Sequence, residues 1–339
     1  MYRFKNDYSE GAHPDILQSM LTHNLDQVEG YGEDIYCQHA VQAIKARIEK
    51  EDCEIHFLVG GTQTNLVALS AFLRPHEAVI AVQSGHIFTH ETGAIEATGH
   101  KVIATLGQEG KLRLEDLQQV VDSHTDEHMV KPKLVYISNS TEMGTIYTLK
   151  ELQALSQYCK EKKLLFYMDG ARLGSALMAE GNDVTLKDLG ELLDAFYIGG
   201  TKNGALMGEA LVICNPLLKE DFRYHIKQKG ALLAKGRVLG IQFYELFKED
   251  LFFELAGHAN KMAQKLKEAI REEGYSFLAD SSTNQIFPIL PNELIEKLQA
   301  SYDFHLWQEG KEKSAIRLVT SWATQEERVR QFIYDIKNR

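Results

Sequence analysis

Two residues stand at the ends of apolar runs, where side chains of their type can do chemistry. Phe196-Tyr197-Ile198-Gly199-Gly200-Thr201-Lys202-Asn203-Gly204 carries an apolar strand straight into a glycine-flanked lysine. The glycines permit a tight turn and leave room for a flat ligand beside the side chain. A lysine held at a buried strand end loses solvation, so its neutral amine becomes available as a nucleophile toward a carbonyl. That is the requirement of a lysine carrying pyridoxal phosphate (PLP) as a Schiff base. For TKNG alone, a solvated lysine capping a strand is the plainer reading. Upstream, Leu164-Leu165-Phe166-Tyr167-Met168-Asp169 ends in a carboxylate at the edge of an α/β sheet where ligands sit. Such a carboxylate can pair with the pyridine nitrogen of PLP and keep it protonated. Arg172, three residues on, offers a fork for a carboxylate. Strand–Asp followed by strand–Lys favours the cofactor reading over a surface Asp–Arg pair.

Positioning these groups requires a succession of strands and helices. Residues 1 to about 35 read as a polar, glycine-broken arm, followed by a helix over about Gln38–Lys50 with Ala40, Val41, Ile44 and Ile48 on one face. Strand Ile55–Val59 runs into Gly60-Gly61-Thr62-Gln63-Thr64-Asn65 and a helix from Leu66 to Leu73. A strand, glycine-rich turn and helix start form an anion site, though neither a dinucleotide nor a P-loop fingerprint is present. Further strands are expected at Ala78–Val82, Lys101–Thr105, Leu134–Asn139 and Glu209–Cys214, and helices at Leu112–Val121, Leu186–Leu193 and, from the capping box Thr148–Glu151, to about Lys162. Alternating strands and helices mean a mostly parallel sheet covered on both faces. His86 follows a strand end, where a ring can lie flat on a ligand. His86, His90 and Glu91 also admit a zinc reading, but H-E-x-x-H is absent and no metal is assigned. Lys227 to Arg237 is a basic stretch that suits either a phosphate contact or a solvated helix start. A long helical region runs to about Glu273. The remainder reads as a small α+β domain whose strand Ala315–Val319 carries Arg317. The division expected is a large domain over 1–245, including the arm, and a small one over 246–339.

At 339 residues the chain can bury a substantial core, and its 44% apolar and 25% charged content is that of a soluble globular protein. A net charge of −11 and the absence of a Lys/Arg-rich run argue against a nucleic-acid partner. No segment approaches a membrane span. The opening MYRFKNDYSEGAHP lacks an apolar signal-peptide core, and four scattered cysteines fit reduced thiols in a cytoplasmic protein.

These motifs resemble the threonine aldolase / β-eliminating lyase family of fold-type I PLP enzymes. GGTQTN at Gly60–Asn65, SGHIFTHETGAIEATG at Ser84–Gly99, YMDGARL at Tyr167–Leu173, GGTKNG at Gly199–Gly204 and IRLVTSW at Ile316–Trp322 follow the family's order over nearly the whole length. The resemblance implies a seven-stranded, mostly parallel sheet sandwiched by helices, with a small C-terminal α+β domain. It implies Lys202 as the Schiff-base lysine, Asp169 on the pyridinium nitrogen, and His86 stacked on the ring. Gly61, Thr62 and Gln63 cradle the phosphate, with Thr201 beside it, and Lys235 reaches a phosphate from a neighbouring subunit. Arg172 and Arg317, with Asn6 near them, hold the carboxylate of a small amino-acid substrate. The implied activity is cleavage of threonine or allo-threonine to glycine and an aldehyde, in a homo-oligomer, dimer or tetramer, with its active site at the subunit interface. A β-eliminating lyase or racemase, and a cofactor-free α/β binding protein, are the alternatives. Thr201 stands where many members have serine, as does Asn6. Ser138-Asn139-Ser140-Thr141-Glu142 replaces a loop bearing a histidine near the substrate β-hydroxyl, leaving His86, Glu142 or a water as proton acceptor.

Overall fold

The computed structural model describes residues 1–338. Seven strands build the main sheet: β1 (Glu54–Leu58), β2 (Glu77–Val82), β3 (Val102–Thr105), β4 (Lys131–Ser138), β5 (Leu165–Asp169), β6 (Ala195–Gly199) and β7 (Glu209–Ile213). Their order is β1-β7-β6-β5-β4-β2-β3, and only β7 runs antiparallel to its neighbours. Strands buried on both faces need apolar side chains at every position. Phe166 and Met168 of β5 enter one core, Leu165 and Tyr167 the other. Ile80 and Val82 of β2 likewise oppose Val79 and Ala81. Each large apolar side chain buried this way contributes about 1.5–3 kcal/mol.

The register sets the working edge. Ser138 lies opposite Asp169 across β4 and β5. Glu209, the first residue of antiparallel β7, lies opposite both Gly199 at the end of β6 and Leu58 at the end of β1. Helix Gly61–Phe72 therefore starts beside the turn that carries Lys202. The helix begins five residues earlier than its apolar pattern suggests, because Gly61 to Thr64 already form its first turn, with Thr64 N–H donating to Gly60 O at 3.0 Å.

Helix Leu251–Glu272 presents Phe252, Leu255, Ala259, Met262, Leu266 and Ile270 along one buried face. The expected single helical run is two helices, Arg237–Phe247 and Leu251–Glu272. Beyond them an antiparallel sheet is centred on Lys313–Val319, which pairs with Gln285–Ile286, Pro288–Pro291 and His305–Gln308. The arm, read from the sequence only as polar and glycine-broken, holds a helix, Pro14–Thr22; Pro14 opens it and His13 caps it. Tyr2–Arg3 pairs with Tyr302–Asp303, and Phe4 is buried among Leu298, Ile316 and Phe332. Among the described residues no helix is long and apolar enough to cross a membrane.

Candidate active site

The strand ends open into a cavity of about 610 Å³. Gly61, Thr62, His86, Asp169, Arg172, Thr201, Lys202 and Arg317 all line it, although they come from five separate stretches of chain.

Asp169 is buried at the floor. Tyr136 Oη donates to its Oδ2 at 2.7 Å, Asn65 Nδ2 to the same oxygen at 3.0 Å, and the Ala171 N–H to Oδ1 at 3.0 Å. Tyr197 Oη completes the set on Oδ1. Burial alone raises a carboxyl pKa, but the His86 charge and these donors outweigh it and hold Asp169 below the ordinary carboxylate range. The site thus keeps a negative charge at depth, suited to a protonated ring nitrogen. Gly61 serves this arrangement: a Cβ there would stand 2.8 Å from Tyr197 Oη. Gly170 permits β5 and β6 to close up, since its Cβ would fall 1.8 Å from Tyr197 O.

His86 is fixed by the buried Glu91, whose Oε1 lies 2.8 Å from His86 Nδ1. The same oxygen accepts from Asn65 Nδ2 at 2.8 Å, so one amide bridges Glu91 and Asp169. Burial works against protonation of His86, yet the Glu91 hydrogen bond and the Asp169 charge raise its pKa above the ordinary value.

Lys202 is enclosed by the cavity wall. Burial, reinforced by the nearby Arg172 charge, lowers its pKa and enlarges the neutral amine fraction. Thr201 Oγ1 donates to Glu209 Oε1 at 2.8 Å and accepts the Gly208 N–H at 3.0 Å. Burial pushes Glu209 up to about 8.

The two arginines differ. Arg172 Nε and Nη2 grip the buried Asp7 at 2.7 and 3.0 Å, a bidentate pair that also holds Asp7 below its usual range against burial. Most of its fork is spent within the chain. Arg317 makes no ion pair among the described residues; its Nε is buried without a partner, and its guanidinium stacks 5.0 Å from the Trp307 ring centroid. Burial and the Arg172 charge lower its pKa to about 10, so it remains a cation at neutral pH. A desolvated cation without a counter-ion is a receptor for a ligand carboxylate.

Three residues singled out in the sequence lie elsewhere. Asn6 turns its Oδ1 back to the Tyr8 N–H at 3.0 Å and Ser9 Oγ at 2.9 Å, while its neighbours Asp7 and Tyr8 reach the site. Gln63 folds its Oε1 onto the Val59 N–H at 3.3 Å, which leaves its backbone amide at the helix start as its possible phosphate contact. Lys235 is exposed outside the cavity. In place of the family's histidine loop, Ser138 Oγ and the His86 N–H both donate to Glu142 Oε1, at 2.7 and 3.0 Å, and burial raises the Glu142 pKa. The parts played by Tyr136, Tyr197, Asn65, Asp7 and Glu209 were not apparent from the sequence, and Glu91 was named there only in the zinc reading. A tyrosine two residues before the end of each of β4, β5 and β6 was the available signal for the first two.

Residues 7–292 match the model of the β-eliminating lyase family. The chain belongs to the β-eliminating lyase family. Within it, the chain is 33% identical over 340 residues to a low specificity L-threonine aldolase of Pseudomonas aeruginosa, covering 99% of this chain and 97% of that one. It is 32% identical over 339 residues to the enzyme of the same name from a Pseudomonas species, with the same coverage. A solved structure of Leishmania major threonine aldolase superposes with a TM-score of 0.98 at 51% identity, covering 99% of both chains. The resemblance read from the motifs and the fold-type I architecture both stand on these likenesses, and the chain is a lyase of this family.

Proposed function

We propose that this lyase cleaves β-hydroxy-α-amino acids of the threonine and allo-threonine type to glycine and an aldehyde, with PLP as cofactor. The observation that carries the reading is one cavity holding a neutral-leaning lysine, a carboxylate kept ionised at depth, and an arginine without a counter-ion. The residues fit the cofactor: Lys202 would attach it, Asp169 would hold a proton at its ring nitrogen, and His86 would lie against its face. The free amides of Gly61, Thr62 and Gln63, aided by Thr201, would take its phosphate. When bound, PLP supplies an electron sink for the carbanion left at Cα.

The chain's own groups then set which bond breaks. Arg317 holds the substrate carboxylate, and Arg172, itself steadied by Asp7, lends a free edge beside it. With the carboxylate fixed, Cα–Cβ is the bond aligned for cleavage. His86 or Glu142 accepts the β-hydroxyl proton, in keeping with the absent loop histidine. The relatives named low specificity L-threonine aldolase support this substrate class.

We also take the protein to be cytoplasmic and a homo-oligomer, possessing a large domain over 1–245 and a small one over 246–339. Lys235, and Asn6 less directly, would act only through a neighbouring copy or the local turn.

The test is product identity. Purified protein loaded with PLP and mixed with L-threonine should give acetaldehyde and glycine. Release of 2-oxobutanoate and ammonia instead would mark a β-eliminating lyase. Protein that stays colourless with PLP would exclude cofactor chemistry altogether. Arg317→Met should raise KM about 10²-fold, the loss of a buried charge-assisted contact worth about 3 kcal/mol, with a smaller effect on kcat.

A further inference from the structure

Glu209 occupies an unusual place for an acid. It lines the cavity beside Gly60, Gly61 and Thr62, the end that suits a phosphate. Its Oε1 faces Thr201 Oγ1 at 2.8 Å, and its Oε2 accepts the Gly200 N–H at 3.2 Å. A hydroxyl has one hydrogen and two lone pairs. The Thr201 oxygen already uses one lone pair for the Gly208 N–H at 3.0 Å. While Glu209 is ionised, the single Thr201 hydrogen must point at the carboxylate, so Thr201 has nothing to donate to an arriving phosphate. That phosphate would also meet a buried negative charge of its own sign.

One proton reverses both effects. A neutral Glu209 donates its O–H to the second lone pair of Thr201, and the Thr201 hydrogen is released toward the ligand. We propose that Glu209 is protonated when the site takes up its phosphate group, and that Thr201 relays that proton's hydrogen-bonding capacity to the phosphate. The inference rests on the PLP reading of the cavity. It makes Glu209 a positioning residue, which acts through Thr201.

The surroundings agree. The charged groups bearing on Glu209 are Lys202 on the adjoining turn and Asp169 on β5; the former favours ionisation and the latter opposes it. Tyr167 of β5 and Tyr197 of β6 present hydroxyls whose pKa values burial pushes well above the ordinary one, so they stay neutral. From β1 the register partner is Leu58, and from helix Arg237–Phe247 the neighbours of the adjoining Gly208 are Leu239 and Phe243, none of them charged. Burial, the largest influence, pushes the carboxyl up to about 8.

The test measures affinity for pyridoxine 5′-phosphate, which lacks the aldehyde and cannot bond to Lys202, in phosphate-free buffers from about pH 7 to about pH 9.5. The ligand's phosphate is a dianion throughout this range. The ligand's own titrations are common to both proteins, so the ratio of wild-type to Glu209→Gln dissociation constants reports Glu209 together with the Lys202 charge that bears on it. That ratio should climb by at least about tenfold from pH 7 to 9.5, rising only above about pH 8, because the Gln amide donates to Thr201 at every pH. A ratio that stays constant with pH overturns the proposal while leaving the PLP reading intact. A wild-type protein that binds no pyridoxine 5′-phosphate at any pH overturns both. Should Glu209→Gln fail to fold, the wild type decides: at about pH 9, ligand binding should produce an infrared carbonyl band of a protonated carboxylic acid, and its absence overturns the proposal.

Discussion

Asp169 and Glu209 are both buried carboxyls in one cavity, two strands apart, and they titrate in opposite directions. Desolvation is the largest influence on each and raises both. Asp169 is pulled below its ordinary value because Tyr136, Tyr197, Asn65 and the Ala171 amide all donate to it and His86 adds a charge. Glu209 has two donors, the Thr201 hydroxyl and a 3.2 Å amide, and its one favourable charge, Lys202, is opposed by Asp169. Burial does not decide the charge of an acid; the number of donors aimed at it does. The two ends of the cavity are thereby given different jobs, one holding charge and the other able to give it up.

The comparison is broken most severely by neutralising its first member. Asp169→Asn should lower kcat/KM on the order of 10³-fold and shift the absorbance of bound PLP, since an amide cannot keep the ring nitrogen protonated. If activity falls less than about tenfold, the deep charge is not what the site depends on. Next comes the bridge. Asn65→Leu removes donors from Asp169 and Glu91 together and should cost about 2–4 kcal/mol in urea unfolding, more than a typical single hydrogen bond. Its companion signature is a shifted His86 titration by NMR, because Glu91 loses the amide that holds it. Tyr197→Phe, which removes one donor among four, should cost about 1 kcal/mol in the same assay.

The contrast is sharpened further through pH. Asp169 has a folded pKa below its unfolded value, so it contributes stability that is lost only as the pH falls through the acid range. Glu209 has the opposite sign. Its folded pKa lies above the unfolded carboxyl value, so the folded state binds the extra proton and stability declines as the pH rises from about 4.5 toward about 8. Glu209→Gln should therefore flatten the decline in urea midpoint between about pH 5 and pH 7.5, whereas Asp169→Asn, which removes a charge opposing Glu209 ionisation, should end the decline at a lower pH without abolishing it.

Much of this was legible in the chain. Each strand of the main sheet is a compact apolar run, and the chemistry sits where such runs stop. Hence Lys202, Asp169 and the Gly60–Thr62 turn could be read from local pattern, as could the Thr148–Glu151 capping box, which the structure contains. What escaped is what depends on distance along the chain. Asp7 and Arg172 are 165 residues apart, and no local feature says that an arginine placed to greet a ligand is already engaged. Asn65 looked like part of a turn until the helix proved to start at Gly61, which buries its side chain between two acids. Glu209 read as the opening of a strand; that β7 runs antiparallel, which brings its first residue to the active edge, is a property of topology that no spacing reveals.

The course of residues 2–7 has a practical corollary. Tyr2 and Arg3 are stitched to Tyr302–Asp303, Phe4 is plugged into the C-terminal core, and Asp7 clasps Arg172 just past the end of β5. Six residues thus tie the C-terminal sheet to the segment that follows β5. Trimming them, or hanging a bulky fusion on them, would loosen a wall of the catalytic chamber from a point that looks peripheral in one dimension.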